Sequence, residues 1–210
     1  MSRFNLIATT AFGLEAVVAR ELKELGYAEH AITDGRVRFE GDAAAICRCN
    51  LRLRGASRLV IVVGEFVARD FGELFEQTQA LPWENWISAR GSFPVRGRSV
   101  KSQLHSVPDC QRIVKKAIAE RLKQARGGEW LDESGPQFGV EVSLLNDAVT
   151  LTLDTSGEAL HRRGYRTYVG ERAGLRETLA ARYPAGATGT GSGRWSIRFA
   201  DQGPLRLRLH

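Results

Sequence analysis

The strongest constraint on the fold is the way two hydrophobic periods alternate along the first sixty-odd residues. Phe4–Thr9 and Arg36–Glu40 have the pattern of short strands, and Leu59–Val63 is a continuous apolar run typical of a central strand. Between them, Phe12–Leu25 carries apolar residues at helical spacing, and Asp42–Asn50 predicts a short helix with its aspartate as N-cap. The first unit is thus predicted to have the order strand, helix, strand, helix, strand.

A second set of elements follows, after an exit from the first unit over Gly64–Arg69. Phe71–Ala80 and Trp83–Ile87 have helical patterns, and Ser92–Arg98 predicts a basic strand. The next helix runs from Ser106 to about Arg126. Ser106 and Asp109 suggest a capping box at its start, and its apolar stripe comprises Cys110, Val114, Ala117, Ile118, Leu122 and Ala125.

The second set closes with a predicted hairpin. Val140–Leu144 and Val149–Leu153 alternate apolar and polar residues, and Asn146-Asp147 supplies the turn.

Trp83 and Trp86 have two interpretations, anchoring in the core or stacking on bases, and the large area that aromatic side chains bury favours the core.

Composition excludes several classes of function. No run of eighteen apolar residues exists, which argues against a membrane span, and the first residues lack a secretory signal. Three cysteines are an odd, low number, which indicates a reduced, cytoplasmic protein. The cysteines and histidines lack the spacing of a metal site, and no Ser-His-Asp or paired-carboxylate arrangement stands out. We therefore expect no metal and assign no catalytic residue.

The charge is concentrated in one block. The chain has a net charge of +6, and residues 93–126 contain 9 basic and 2 acidic residues, whereas residues 127–155 contain 6 acidic and no basic ones. Such a block is either a phosphate-binding surface or a solvated helix face. Because a short loop joins the strand to the helix, we expect their basic residues to lie close together. The candidate RNA-binding residues are Arg96, Arg98, Lys101, Arg112, Lys115 and Lys116.

A second basic cluster follows the hairpin, where Tyr165 interleaves with cations. Cations pair with phosphates and an aromatic ring stacks on a base, so Arg162, Arg163 and Arg166 join the candidates. The alternative is an exposed basic linker. The acidic residues of 127–155 are expected to lie outside an RNA footprint, because they repel phosphate.

Seven ordered stretches carry a family resemblance. They are L-I-A-T-T-A-F-G-L-E-A-V-V-A-R-E-L (Leu6–Leu22), R-V-R-F-E-G-D (Arg36–Asp42), A-I-C-R-C-N-L-R-L-R (Ala45–Arg54), L-P-W-E-N-W (Leu81–Trp86), F-P-V-R-G-R-S-V-K-S (Phe93–Ser102), S-V-P-D-C-Q-R-I-V-K-K-A-I (Ser106–Ile118) and L-D-T-S-G-E-A-L-H-R-R-G-Y-R (Leu153–Arg166). Together they resemble the N-terminal half of bacterial THUMP-domain RNA methyltransferases, which methylate guanine N2 of 23S ribosomal RNA.

The resemblance implies a domain order. It predicts an α+β fold with a ferredoxin-like unit over residues 1–66, a THUMP domain over 67–155 that binds structured RNA, and a linker over 156–181 towards a methyltransferase domain. In the family that last domain uses S-adenosylmethionine. Its expected methyl-donor loop, D-P-F-C-G-S-G, and an N-P-P-Y-like catalytic motif are absent from this sequence. We therefore expect this chain alone to bind RNA without holding a cofactor or performing catalysis.

Residues 182–210 have no helical or strand period and are expected to form a disordered tail. In a displaced reading frame, permitted codons for Arg194–His210 can spell P-L-V-D-P-F-C-G-S-G-T-L-A-I-E-A-A. Seventeen consecutive compatible positions favour a frameshifted tail. Two alternatives to a simple RNA-binding fragment stay open: an RNA-targeting subunit that acts with a separate methyltransferase chain, and an inactive gene remnant.

Overall fold

The computed structural model describes residues 3–128 and 133–162 in full, and the backbone of residues 196–199 and 202–206. The fold is α+β. Its strands are β1 (Phe4–Thr10), β2 (His30–Thr33), β3 (Arg36–Gly41), β4 (Ala56–Val67), β5 (Val95–Val100), β6 (Val140–Leu145), β7 (Ala148–Asp154), β8 (Ser196–Phe199) and β9 (Gln202–Arg206). Its helices are α1 (Glu15–Glu24), α2 (Ala43–Arg52), α3 (Phe71–Ala80) and α4 (Val107–Arg126), with short 3-10 turns at Trp83–Asn85 and Leu160–Arg162.

A single seven-stranded sheet runs through both predicted units, in the order β2-β3-β1-β4-β7-β6-β5. The long strand β4 joins them, because its first half pairs antiparallel with β1 and much of its length pairs antiparallel with β7. The strand β4 continues through Gly64 to Val67, so most of the expected exit over Gly64–Arg69 lies within this strand. A β-bulge between Val62 and Gly64 lets the strand bend there while it keeps its pairing. The sequence analysis also missed β2, whose residues carry little apolar alternation.

One face of this sheet is continuously apolar and carries the core. The strand registers place buried residues opposite each other from β3 to β6: Leu6, Ala8, Val37, Phe39, Leu59, Ile61, Val140, Val142, Leu144, Val149, Leu151 and Leu153. The strands contact all of α1 to α4, and α4 packs against β5 and β6. We call this side the covered face and the other side the open face. Within the described residues, the helices pack on the covered face.

The ends of the helices show which of the predicted capping residues cap a helix in the structure. The Asp42 side chain accepts a hydrogen bond of 2.8 Å from the Ala45 backbone N–H, so the predicted N-cap of α2 is confirmed. The helix α4 ends at Gly127, which adopts the left-handed conformation at φ +67°. The predicted capping box at Ser106 is wrong in its bonding: the Ser106 hydroxyl donates to the Asp109 carboxylate at 2.5 Å and leaves the backbone N–H groups uncapped.

Trp83 and Trp86 are packing residues, as predicted, and two of the three cysteines are buried. Trp83 is fully buried and its indole N–H donates to the Thr78 carbonyl at 2.8 Å, and Trp86 packs edge-on against Phe4. Burial raises the pKa of the Cys49 thiol to about 11, which keeps it neutral. Cys110 is buried in the stripe of α4, whereas Cys47 is exposed.

The described part of the chain contains no group of three or more His, Cys, Asp and Glu residues that could hold a metal ion. It also contains no helix long and apolar enough to cross a membrane.

The last described residues form a two-stranded antiparallel hairpin, β8 with β9. Their strand pairing differs from the expectation of a segment without regular structure. The rest of the predicted tail lies outside the described residues, as does most of the predicted linker.

Candidate nucleic-acid interface

The basic residues of β5 and α4 lie on opposite faces of the sheet. Along β5, Arg96 and Arg98 are exposed on the open face. Gly97, between them, points at α4: a Cβ there would lie 3.0 Å from Gln111 Cγ and 3.2 Å from Val107 Cγ1. The short loop therefore does not bring the strand and helix cations onto one surface. They form two surfaces, which meet at the edge strand β5.

The outer side of α4 is a basic stripe, as its sequence predicts. Arg112, Lys115, Lys116 and Lys123 are exposed, and the opposite side of the helix is buried. We call these four residues the helix ridge. Ala125, assigned to the apolar stripe, is instead exposed. Arg126 is half-buried and donates to the Ile87 carbonyl at 2.5 Å, so it anchors the helix end.

Three cations of the ridge lie beside a carboxylate. Arg112 is 2.7 Å from Asp109, Lys115 is 3.4 Å from Glu133, and Lys116 is 3.8 Å from Glu120. The two lysine ammonium groups also lie over aromatic rings, 5.5 Å from the Phe93 centroid and 5.6 Å from the Phe75 centroid. Exposed ion pairs of this kind contribute only about 0–1 kcal/mol each, so a phosphate can displace the carboxylates.

The acidic stretch supplies two of the carboxylates beside the candidate cations. Glu133 pairs with Lys115, and Glu141 lies 3.8 Å from Arg98. These acids are therefore neighbours of both basic surfaces. Their exclusion from an RNA footprint stays a prediction.

Lys101 is held at one end of the sheet. It has a φ of +50° and is exposed, without an ion pair in the described part of the chain. The loop after it is tied to the β6–β7 turn, because the Asp147 carboxylate accepts from the Gln103 backbone N–H at 2.7 Å and the Asp147 backbone N–H donates to the Ser102 hydroxyl at 3.0 Å. These hydrogen bonds hold in place the loop that follows Lys101.

The second predicted cluster is described only at its beginning. Arg162 is exposed at the end of the 3-10 turn that follows β7. Arg163 and Arg166 lie outside the described residues. Neither their proximity to Arg162 nor their role in binding is tested.

Three arginines of the open face were missed by the sequence analysis. Arg38 makes two hydrogen bonds to the Glu65 carboxylate, at 2.9 and 2.5 Å, and these hold the pKa of Glu65 below its usual range. Arg58 pairs with the Asp154 carboxylate and donates to the Gly157 carbonyl at 2.7 Å. Arg36 donates to a hydroxyl on β6. The alternation R-V-R-F-E was the available signal, because it places both arginines of β3 on the face away from the core.

A cleft of about 560 Å³ opens at one end of the open face. Its lining brings together the guanidinium groups of Arg58 and Arg96, the carboxylates of Glu141 and Asp154, and the ring of Phe138. Arg96 has no ion pair among the described residues. The open face is therefore polar and mixed in charge, whereas the helix ridge is predominantly basic.

Two family models match the chain. Residues 5–60 match the RlmL ferredoxin-like domain, and residues 68–154 match the THUMP domain. These matches agree with the predicted order of a ferredoxin-like unit followed by a THUMP domain.

Two relatives and a solved structure are similar over most of the chain. A candidate RNA methyltransferase, YpsC of Bacillus subtilis, is 54% identical over 86% of this chain and 47% of its own length. The ribosomal RNA large subunit methyltransferase K/L of Syntrophotalea carbinolica is 34% identical over 84% of this chain and 25% of its own length. The crystal structure of SMU.472, a candidate methyltransferase complexed with SAH, is 44% identical with a TM-score of 0.83, over 90% of this chain and 50% of that one. The chain thus spans half or less of the length of these proteins.

Proposed function

We propose that this chain, which carries an RlmL-type ferredoxin-like domain followed by a THUMP domain, binds structured RNA through its helix ridge and the neighbouring cations Arg96, Arg98 and Lys101. The RNA-methyltransferase relatives support an RNA-related role. The observation that carries the proposal is the exposed ridge of Arg112, Lys115, Lys116 and Lys123 on α4.

The dimensions of the ridge suit a folded RNA. The ridge runs from Arg112 to Lys123, which is about 17 Å along the helix axis, so its cations can contact neighbouring phosphates of one strand. Side chains cannot enter the deep major groove of an RNA duplex, and proteins therefore read such a duplex mainly by shape and backbone. We expect weak dependence on sequence and a marked preference for duplex-containing RNA.

The reaction that this binding serves is methyl transfer. We infer that the intact protein transfers a methyl group from S-adenosylmethionine to guanine N2 of 23S ribosomal RNA in the cytoplasm. The K/L relative, named for large-subunit ribosomal RNA, and the SAH in the similar structure support this inference. Because the donor loop is absent from this sequence, the chain contributes RNA binding, and the cofactor belongs to the methyltransferase portion. The further candidate contacts Arg162, Arg163 and Arg166 follow the residues that match the THUMP model in the sequence.

A salt titration of binding to a hairpin from large-subunit ribosomal RNA tests the proposal. The variant Lys115→Ala with Lys116→Ala should bind more weakly, and the log–log slope of its affinity against salt should fall by about 0.7–0.9 per lost phosphate contact. Its melting temperature should change little, since the pairs with Glu133 and Glu120 are exposed.

The matched control replaces two exposed cations on other helices, Lys23→Ala with Arg52→Ala. This variant should keep both affinity and slope. A DNA duplex of the same sequence should bind more weakly than the RNA. An unchanged slope in the lysine variant would remove the ridge from the RNA interface, and the absence of any RNA binding by the unmodified chain would refute the proposal.

A further inference from the structure

Two arginines from different domains meet on one hydroxyl of the open face. Arg98 of β5 donates from Nε to Ser143 Oγ at 2.8 Å, and Arg36 of β3 donates from Nη2 to the same oxygen at 3.4 Å. Three strands separate β3 from β6, so a flat sheet would hold them about 19 Å apart. That is farther than an arginine side chain reaches. The sheet therefore curls towards its open face, which brings Arg36 within reach of Ser143.

The curl is visible in the burial of apolar residues on the open face. Ile7 of β1 is 3% exposed and Val60 of β4 is 7% exposed, although the helices pack on the other side. A second contact on this face joins Arg38 of β3 to Glu65, beyond the bulge of β4, across the single intervening strand β1. The hydrogen bond between Arg36 and Ser143 is thus a consequence of the curled shape of the sheet.

Arg36 and Arg98 carry more positive charge than the carboxylates beside them neutralise. Arg36 has no ion pair within the described residues, and Arg98 has only Glu141, at 3.8 Å. Two guanidinium groups held on one oxygen repel each other across a short distance. Glu65, the other nearby carboxylate, is already occupied by both branches of the Arg38 guanidinium. Glu141, at 3.8 Å from Arg98, is therefore the one carboxylate that pairs with either arginine among the described residues.

The groups around this point are those that hold a phosphate. Guanidinium groups donate in a planar fork that matches phosphate oxygens. Ser143 is 6% exposed and its oxygen accepts from both arginines, so its own O–H proton stays available for an acceptor. The Arg98 side chain is 53% exposed, which leaves the pair open to solvent.

We propose that Arg36, Arg98 and Ser143 form a phosphate-binding site shared by the two domains, and that it takes one phosphodiester of the bound RNA. This inference rests on the proposed RNA binding and deepens it, because the site is incomplete without either domain. An RNA chain on the helix ridge reaches this site by passing round the edge strand β5, which carries Arg98.

Charge-removing variants of similar shape test the site. Arg36→Gln and Arg98→Gln should each weaken binding of the ribosomal RNA hairpin about tenfold, as expected for the loss of charge-assisted hydrogen bonds. Because both groups bind the same phosphate, the double variant should lose less than the product of the two single losses. Its salt slope should fall by about 0.7–0.9, the value for one phosphate. Arg52→Gln, on an exposed helix position, is the control and should have no effect.

A second probe separates this site from RNA binding as a whole. Inorganic tripolyphosphate should raise the melting temperature of the unmodified chain above that in chloride at equal ionic strength, and the double variant should lose this rise. RNA binding that is unchanged in all three variants would overturn the site and leave the proposed function standing. A tripolyphosphate effect that depends on Arg36 and Arg98, in a chain that binds no RNA, would support the site and refute the proposed function.

Discussion

The two faces of the seven-stranded sheet are built from the same strands and have opposite chemistry. The covered face is continuous from β3 to β6, with Leu6, Leu59 and Leu151 buried beneath the helices. The open face carries Arg38 and Arg98, and charged side chains meet there across the curl of the sheet. Because strand side chains alternate, every strand supplies stability to one face and polar groups to the other.

This difference predicts whether a substitution on each face should change stability or ligand binding. Apolar burial is the dominant favourable term in folding, so changes on the covered face should act on stability. Exposed ion pairs contribute little to stability, so changes on the open face should act on ligand binding. Neighbouring residues of one strand supply matched pairs with which to test this.

The largest expected effect comes from Leu151→Ala in β7. Leu151 is fully buried between β4 and β6, so removing its side chain should lower the free energy of unfolding by about 2–5 kcal/mol. Its neighbour Thr150→Ala, on the open face, loses one hydrogen bond to Glu65 and should cost about 1 kcal/mol or less. Urea unfolding measures both. Equal losses of unfolding free energy in the two variants would contradict the distinction between the faces.

A smaller effect is expected where α4 meets β5. A side chain at Gly97 would press on Gln111, Val107 and Val142, at 3.0–3.2 Å from the first added carbon. Gly97→Val should therefore cost about 1–3 kcal/mol through overpacking. Arg96→Val, on the adjacent exposed position, should stay within about 0.5 kcal/mol. A neutral Gly97→Val in thermal melting would mean that the helix moves away freely.

The smallest effect on stability is expected from two carboxylates, one near each face. Arg121 donates to Glu84 at 3.0 and 2.6 Å and lowers the pKa of Glu84 to about 2, and Arg38 lowers that of Glu65. Since the folded pKa of Glu84 lies below its ordinary 4.5, the ion pair stabilises the fold above pH 4.5, and this contribution is lost as pH falls towards 2.

Glu84→Gln should lower the melting temperature at pH 7, and its difference from the unmodified chain should disappear between pH 4.5 and about 2. Its effect should be below about 1 kcal/mol. Glu65→Gln should be similarly mild but should also strengthen RNA binding, because it frees Arg38 on the open face. Glu76→Gln, exposed on α3, is the control. RNA affinity that rises equally with Glu84→Gln would show that the gain does not depend on Arg38.

Local patterns predicted most of the elements. The helix over Phe71–Ala80 and the hairpin with Asn146-Asp147 at its turn are observed as predicted, and both residues of that turn have positive φ. Such features depend on residues a few positions apart. The capping box is not formed at Ser106, whose hydroxyl donates to the Asp109 carboxylate and accepts no capping hydrogen bond from the helix.

The basic surfaces were predictable only in part. Helical periodicity places Arg112, Lys116 and Lys123 on one side of α4, and the structure confirms this. Composition does not say which side of β5 faces α4, so the strand and helix cations were expected together. Gly97 determines which side of β5 faces α4, because its lack of a side chain lets the helix approach that side of the strand.

The sequence by itself determined the period of each element, and therefore which residues are apolar on one side and charged on the other. Its family resemblance also determined the order of a ferredoxin-like domain and a THUMP domain. Only the tertiary structure decided that both domains share one sheet and that Arg36 meets Ser143, 107 positions away. The physical reason is range: periodicity follows from the geometry of neighbouring residues, whereas the curl of the sheet follows from the pairing, twist and bulge of strands distant in the chain.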